Sequence, residues 1–529
     1  MVRAREAARR RCPLYPMKDG SLRADVAMSM KLHPLFLSLA VLCAGDAAAV
    51  GLAAPVSEAM PASEPAPVPL ARSADCSNGF FSRLASAYRE DAQPADPDAP
   101  TPARRGLAAP FSSPPFPSAE WQLGAVDYPV GVPNENAQYP VEKALACTRV
   151  GQWMQRNRIE LYGWINPSLN ASTSSRSNYP LSYSTRPNRG EFNQALIRLQ
   201  RVPDTVQTDH VDWGFHFDDL YGYDYHYTTM KGVTSDQLLH HPQSNSALNG
   251  KIYGNDPMIA HVDVYLPSVA QGMLVTVGRY LSLPDIEAQF SPNNYLLTHS
   301  ILYTVDAYTN MGILTTTKLN DQWTLQLGVH GGDDSAIWDA TSRLSAQACL
   351  RWVSKSNDDM LYPCVESYNN AAQTYNNLQE FVLTWGHRFS PKVHMLTEAY
   401  HIYVRDQALA TDPSQSHAPT GRPGYALGEA PDFPLGRSTA DAIVNYVNIQ
   451  LGASDMLAIR NEFVNDHDGQ RTGFATRYSS HTIGLTHWVS QDLEIRPELR
   501  YEHAYDFPAY DGGRRNHQAT ALIDAILHY

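Results

Sequence analysis

Asp285 and Glu287 form the kind of carboxylate pair that hydrolysis of a glycosidic bond uses, one as acid and one as base or nucleophile. Two residues apart on a strand, they would share a face about 7 Å apart, and nothing beside them fixes their roles. Turn residues or charges at a pore constriction are the simpler reading. His240-His241 lack further ligands, and His481 with His487 lacks a third at usable spacing, so no metal site is expected. Asp333-Asp334 after Gly331-Gly332 carries only a fragment of a calcium loop. The chain has no Gly-x-Ser-x-Gly elbow and no phosphate-binding glycine loop. Neither catalysis nor a cofactor is expected.

Six cysteines remain. Cys12 and Cys43 fall in segments expected to be missing from the mature chain. Cys349 and Cys364 are placed in one long surface loop, 331 to 374, which a disulfide would staple in an oxidising compartment. Cys76 and Cys147 are a second candidate pair, across the leader.

The elements that must carry these residues have a period of two. In Leu493–Arg500 one face holds Leu493, Ile495, Pro497 and Leu499, and the other holds Glu494, Arg496, Glu498 and Arg500. The last segment places Ala519, Ala521, Ile523, Ala525, Leu527 and Tyr529 on one face, with Gln518, Thr520, Asp524 and His528 on the other. Trp323, Leu325, Leu327 and Val329 alternate with Thr324, Gln326, Gly328 and His330. Further strands are read at 161–165, 195–200, 300–304, 312–318, 378–388, 393–404, 441–450, 456–464, 472–478 and 482–489. The aromatics Trp213, Phe215, Phe217, Tyr221, Tyr223, Tyr225 and Tyr227 read as a ladder on one sheet face.

Composition agrees with a sheet. Charged residues are 18% and aromatics 10%, with 29 Tyr. A net charge of -13 argues against a nucleic-acid partner. The mean hydropathy of -0.36 fits a soluble protein, and equally a transmembrane barrel, in which only alternate residues meet lipid. No uncharged apolar run after residue 60 is long enough for a membrane-spanning helix.

The N-terminus divides into parts. Residues 1–27 are Arg-rich and read as an extension from a mis-assigned start codon. Residues 28–49 run from Lys31 through Leu35–Leu42 to Ala47-Ala48-Ala49, a signal peptide for Sec export. Residues 50–120 are a Pro/Ala-rich disordered leader, with a short helix near 80–89. Residues 121–529 are assigned to the barrel.

Short gaps alternate with long Ser/Asn/Gly-rich inserts (231–250, 331–374, 405–440), the pattern of an antiparallel transmembrane β-barrel with long loops on one side. Strand number should be even, about 16 or 18. Arg460, Glu462, Glu494, Arg496, Glu498 and Arg500 then become candidate pore-lining residues, mixing signs across a confined lumen. Tyr303, Tyr308, Trp323, Trp385, Tyr400, Tyr403 and Trp488 are candidates for the aromatic girdle at the headgroups.

Several runs together carry a resemblance: Asp256-Pro257, Val262–Gly272, Gly278-Arg279-Tyr280, Pro284–Gln289, Pro292–Tyr295, His299-Ser300, Gly469–Gly473, His487-Trp488, Arg496–Arg500 and Glu502–Tyr510. Over roughly residues 160 to 529 the chain resembles the β-barrel porin-2, OmpL-like outer-membrane porin family of Gram-negative bacteria. That resemblance implies an outer-membrane pore for small hydrophilic solutes or ions, without catalysis. Its motif residues Arg279, Asp285, Glu287, Asn293 and Asn294 are candidates for a constriction loop. Such barrels commonly end on Phe; Tyr529 keeps an aromatic as the signal to the barrel-assembly machinery. Two other readings compete: a secreted β-rich glycan-binding protein or hydrolase, and a non-conducting structural barrel plugged by the leader or by 331–374.

Overall fold

The computed structural model describes residues 76–92, 130–132, 138–181, 183–235, 237, 252–304, 307–340, 342–369, 378–408, 435–469 and 472–529. His240 and His241, the signal segment and most of the leader lie outside the described residues. Sixteen strands follow in order. They are β1 (Ile159–Ser172), β2 (Gly190–Arg201), β3 (Asp212–Gly222), β4 (Gly254–Leu266), β5 (Met273–Leu281), β6 (Thr309–Lys318), β7 (Trp323–His330) and β8 (Ser345–Val353). Then come β9 (Asp359–Tyr368), β10 (Leu378–Ser390), β11 (Val393–Ala408), β12 (Leu435–Gln450), β13 (Asp455–Asp466), β14 (Arg477–Trp488), β15 (Leu493–Ala504) and β16 (His517–His528).

Each strand pairs antiparallel with its sequence neighbours, and β1 pairs with β16, so the sheet is a closed barrel. The seam aligns Trp164 with His528, Ile165 with Leu527 and Ser168 with Asp524. Closure leaves no strand edge unpaired, which is the condition for crossing lipid with strands. Outward positions carry exposed Leu169, Ile197, Val262, Val277, Ile313, Leu327, Leu383, Ile483 and Leu499. Inward positions carry buried polar groups, among them Arg198, Asp218, Gln326, Glu398, Arg460, Arg496 and Asp524. Other inward positions are apolar and buried, such as Leu196, Leu220, Leu314, Leu396 and Val444, so the outside is apolar and the inside mixed, unlike a soluble sandwich, whose outer faces are polar.

Connections alternate. Turns 267–272, 319–322, 354–358, 391–392, 451–454 and 489–492 close one end, where β1 starts and β16 finishes. At the other end β3 is followed by β4, β5 by β6 and β11 by β12.

Several sequence expectations need correction. Residues 331–374 are not one loop: they contain β8 and β9. Their outward positions alternate apolar Leu350, Trp352, Leu361 and Val365 with Ala346, Ala348 and Pro363, which break the stripe, while Gln347 and Arg351 are buried inward. The two stretches 472–478 and 482–489 are replaced by the single strand β14. The aromatic ladder breaks at Gly222, whose φ of +156° turns the chain and where a Cβ would meet Asn193 O at 2.0 Å. Beyond it, a short helix, α4 (Tyr225–Thr228), buries Tyr223, Tyr225 and Tyr227 in the interior. Ser300–Thr304 is not a strand either; Ile301–Thr304 forms a single helical turn. Of the girdle candidates, Tyr303, Tyr308, Tyr400 and Trp488 are buried inside.

The barrel begins at Ile159 rather than near 121. Before it come α1 (Phe80–Asp91), α2 (Pro140–Leu145) and α3 (Arg149–Arg156). Pro140 opens α2 and Thr148 Oγ1 caps α3 by accepting from Gly151 N at 3.0 Å. Cys76 and Cys147 are bonded (S–S 1.98 Å), tying the start of α1 to the α2–α3 junction. These helices meet the short-turn end of the barrel. Tyr139 stacks on His528 at 4.6 Å, Tyr88 donates to His528 O at 3.0 Å, and Glu142 accepts from Leu161 N at 3.2 Å.

Candidate functional site

The connection between β5 and β6 does not stand outside the barrel. Pro284 and Pro292 each lack the N–H that a strand ladder needs, and the chain leaves the wall and folds inward. Ile286, Phe290, Tyr295, Leu296 and Ile301 are all buried. The segment staples itself. Asn294 Oδ1 accepts from Ala288 N (3.0 Å), and its Nδ2 donates to Ala288 O (2.7 Å) and Phe290 O (3.0 Å). Glu287 accepts from Ser300 N at 3.0 Å.

The wall then grips it residue by residue. At the far side, the Phe290 ring lies under the Arg198 guanidinium (4.7 Å) and edge-on to Trp164 (5.5 Å). Gln194 on β2 donates to Gln289 O at 2.8 Å and accepts from Ser291 N at 3.1 Å. Arg496 on β15 donates to Ser291 O (2.7 Å), Asn294 O (2.6 Å) and Leu296 O (3.2 Å). Glu498 accepts from Leu297 N (2.8 Å) and Thr298 N (3.0 Å). Arg460 on β13 donates to Thr298 O (2.5 Å) and to Glu287 (3.1 Å), and Glu462 accepts from Ile301 N at 2.7 Å. Arg500 donates to Glu462 at 3.1 Å and pairs with Glu502 at 2.8 Å. The inward loop therefore crosses to β1–β2 and returns along β15, β14 and β13.

All six strand charges singled out in the sequence point inward and are buried. The structure brings Arg460, Glu462, Arg496, Glu498 and Arg500 together around the loop. Glu494 sits apart, accepting from His528 at 3.1 Å beside Tyr139. Arg279 on β5 is not on the loop; it makes two 3.0 Å bonds to Asp256 on β4. Asp285 is half-buried at the loop's base and accepts from Ser282 Oγ at 2.9 Å. Asn293 is buried in a single 3-10 turn, Ser291–Asn293. Cys349 and Cys364 are bonded (S–S 2.08 Å) as in-register partners of β8 and β9, not as a loop staple. Tyr529 seals the seam: its N donates to Gly163 O (3.0 Å) and its hydroxyl to Leu196 O (2.8 Å).

Sequence reading set Asp524 on the polar face of the last strand but gave it no partner, where it takes Arg496 Nε at 3.0 Å, and it missed the Arg198–Asp218 pair at 2.7 Å. Both lie on adjacent strands, so alternation plus antiparallel pairing is the signal that finds them. It also missed Phe290 and Thr298, for which the sequence carries no signal. Among the described residues no cluster of His, Cys, Asp or Glu could hold a metal ion.

At the short-turn mouth, Asp492 (between β14 and β15) faces Asp91 of α1, which Lys143 of α2 holds by an ion pair. Burial first, and then the neighbouring Asp91 carboxyl, push the Asp492 carboxyl up to about 8.

No curated protein matches the sequence. Among solved structures, the chain is similar to the anion-selective porin from Comamonas acidovorans: 8% identity, TM-score 0.43, 70% of this chain and 99% of that one. It is similar to the outer membrane channel DcaP of Acinetobacter baumannii at 10% identity and TM-score 0.43, covering 70% and 97%. OmpT of Vibrio cholerae aligns at 10% identity and TM-score 0.40, also over 70% and 97%. The family model described as "Putative beta-barrel porin-2, OmpL-like" matches residues 158–529, from the residue before β1 to the last residue of the seam. Matched along its whole barrel, the chain belongs to that family and is a bacterial outer-membrane porin.

Proposed function

We propose that the barrel passes small hydrophilic solutes or ions by passive diffusion, and that segment 282–304 sets the width of the path. The observation that carries this is the inward loop itself, held by side chains of β2, β13 and β15 rather than left at the rim. In this reading Arg460, Arg496, Arg500, Glu462 and Glu498 act first as fasteners. Their charges are neutralised by one another and by loop backbone, so they contribute little net field to the path. Ion preference then rests on other inward carboxylates, among them Glu366 on β9 and Glu398 on β11, which are buried and accept from the neutral side chains of Asn310 and Thr384. Residues 28–49 direct Sec export, and Tyr529, at the seam, presents the assembly signal. Purified protein in planar bilayers gives stepwise conductance; well-folded barrels without steps would sink the proposal.

A second reading, a non-conducting barrel, is favoured by the helices at the short-turn mouth. Deleting residues 76–158 separates the two: conductance that appears only in the deletion variant supports the closed form.

A further inference from the structure

Helix α3 stands just ahead of β1 and outside the span that the family model matches. Its sides differ in kind. Gly151 and Met154 are buried, and a Cβ on Gly151 would meet Leu145 O at 2.0 Å, so this side rests on the end of α2. Val150 and Trp153, three residues apart on the neighbouring side, are 59% and 52% exposed. Arg149 and Arg156 follow beyond Trp153, both exposed, and α3 carries no acidic residue. Gln152 and Gln155 take the side that remains.

What lies behind α3 sets the direction of its apolar edge. Tyr139, at the N-cap of α2, stacks on the inward His528, and Glu142 of α2 accepts from Leu161 N, so α2 covers the mouth. α3 packs against α2 and β1. With α2 at its back, Val150 and Trp153 look away from the barrel axis, over the lipid that rings the wall.

Depth agrees with direction. Trp153 precedes Ile159, the first residue of β1, by three helical rises of about 1.5 Å and three extended steps of about 3.5 Å, a reach of at most about 15 Å. The same rim is marked as a lipid boundary on the wall itself. Trp213 on β3 points outward and is exposed, and the Arg201 guanidinium lies 4.5 Å from its ring centre. Arg158, between α3 and β1, and Arg201 both pair with Asp212, at 2.5 and 3.0 Å. Indole rings and guanidinium groups are what a headgroup layer accepts, and α3 continues that belt past the end of the strands.

Outer-membrane barrels keep their short turns in the periplasm, so the leaflet at this rim is made of phospholipid. We propose that α3 docks on this periplasmic leaflet, with Val150 and Trp153 seated among the headgroups and Arg149 and Arg156 selecting anionic phospholipid. The chain as a whole carries a net charge of -13, which repels an anionic surface, so the attraction must be local. An acid-free helix with its arginines beside an apolar edge supplies it.

The test uses the full mature chain, extracted from outer membranes and placed in vesicles of phosphatidylcholine and phosphatidylglycerol. Cys76, Cys147, Cys349 and Cys364 are paired in disulfides, so a fluorophore goes to the introduced thiol of Val150→Cys or Gln155→Cys. Nitroxide-labelled phosphatidylglycerol should quench the fluorophore of V150C strongly and that of Q155C weakly. At equal mole fraction it should also quench V150C about fivefold better than nitroxide-labelled phosphatidylcholine, the factor expected from one arginine close to an anionic surface. Adding R149Q/R156Q should bring that ratio close to one, with heat-modifiable gel mobility as the folding check. No quenching at V150C, as when the helix faces water or a soluble protein, overturns the proposal. So do equal quenching of V150C and Q155C, equal quenching by the two lipids, and a folded R149Q/R156Q variant whose ratio is unchanged.

Discussion

The Glu287–Arg460 pair is the test of whether the inward loop is fastened by charge. Both side chains are buried, at 3.1 Å, and they join residues 173 apart in sequence. Glu287→Gln keeps the shape but leaves a buried guanidinium without its carboxylate, a change that costs about 3–5 kcal/mol when nothing compensates. Glu498 binds the same Thr298 that Arg460 binds, so a second carboxylate remains close and the lower end applies. A loss of about 3 kcal/mol raises the population of released loop by more than about 100-fold. Arg460→Met should do the same, by stranding Glu287. The double variant should recover part of the loss, with a coupling of about 1–3 kcal/mol, because neither charge is then unpaired. Single-channel recording in planar bilayers reads the released loop as excursions to higher conductance. Excursions as rare in E287Q and R460M as in wild type would refute the fastening, and so would a double variant equal to the sum of the singles.

Other predictions follow from the seam, the mouth and the wall. At Gly163 a Cβ would stand 1.9 Å from Leu196 O and 2.6 Å from the Tyr529 hydroxyl, so Gly163→Val should sharply lower the yield of heat-modifiable barrel. Tyr529→Phe loses one hydrogen bond, about 1 kcal/mol, and should still assemble. Asp492 has its carboxyl raised to about 8 when docked, so its share of mouth stability is full below about pH 4 and is lost as pH rises through about 8. Tryptic cleavage after the exposed Arg89 should therefore be faster at pH 9 than at pH 6 in wild type, relative to D492N at each pH. Removing the cross-strand disulfide as C349S/C364S should lower thermal stability by about 2–3 kcal/mol while leaving conductance unchanged.

Legibility from sequence divided along physical lines. A period of two is a local property, so the faces of β7, β13, β15 and β16 could be read from single stretches. Closure could be expected because open edges do not survive in lipid. β8 and β9 were missed although Leu350, Trp352, Leu361 and Val365 share their outward faces, because Ala346, Ala348 and Pro363 interrupt that apolar stripe. α4 and the helical turn at Ile301–Thr304 were missed too, since their aromatic and β-branched residues suit strands, and only burial in the lumen makes them fold otherwise.

The candidate site divides in the same way. Alternation assigns Glu494, Arg496, Glu498 and Arg500 to one face, but a face is not a partner. Arg496 meets Asp524 because β15 and β16 are neighbours in register, and strand order alone predicts that pair. Glu498 meets Leu297 and Thr298 across 201 and 200 residues, because a proline-bearing connection turned inward instead of out. That decision is made cooperatively. Each backbone group of 282–304 that leaves the ladder must find a donor or acceptor inside the barrel, and the wall arginines and glutamates supply them. Their alternating signs then follow from the loop they hold: arginines take its carbonyls and glutamates its N–H groups. A charge pattern that reads as a field for solutes is, at these positions, first a complement to a backbone.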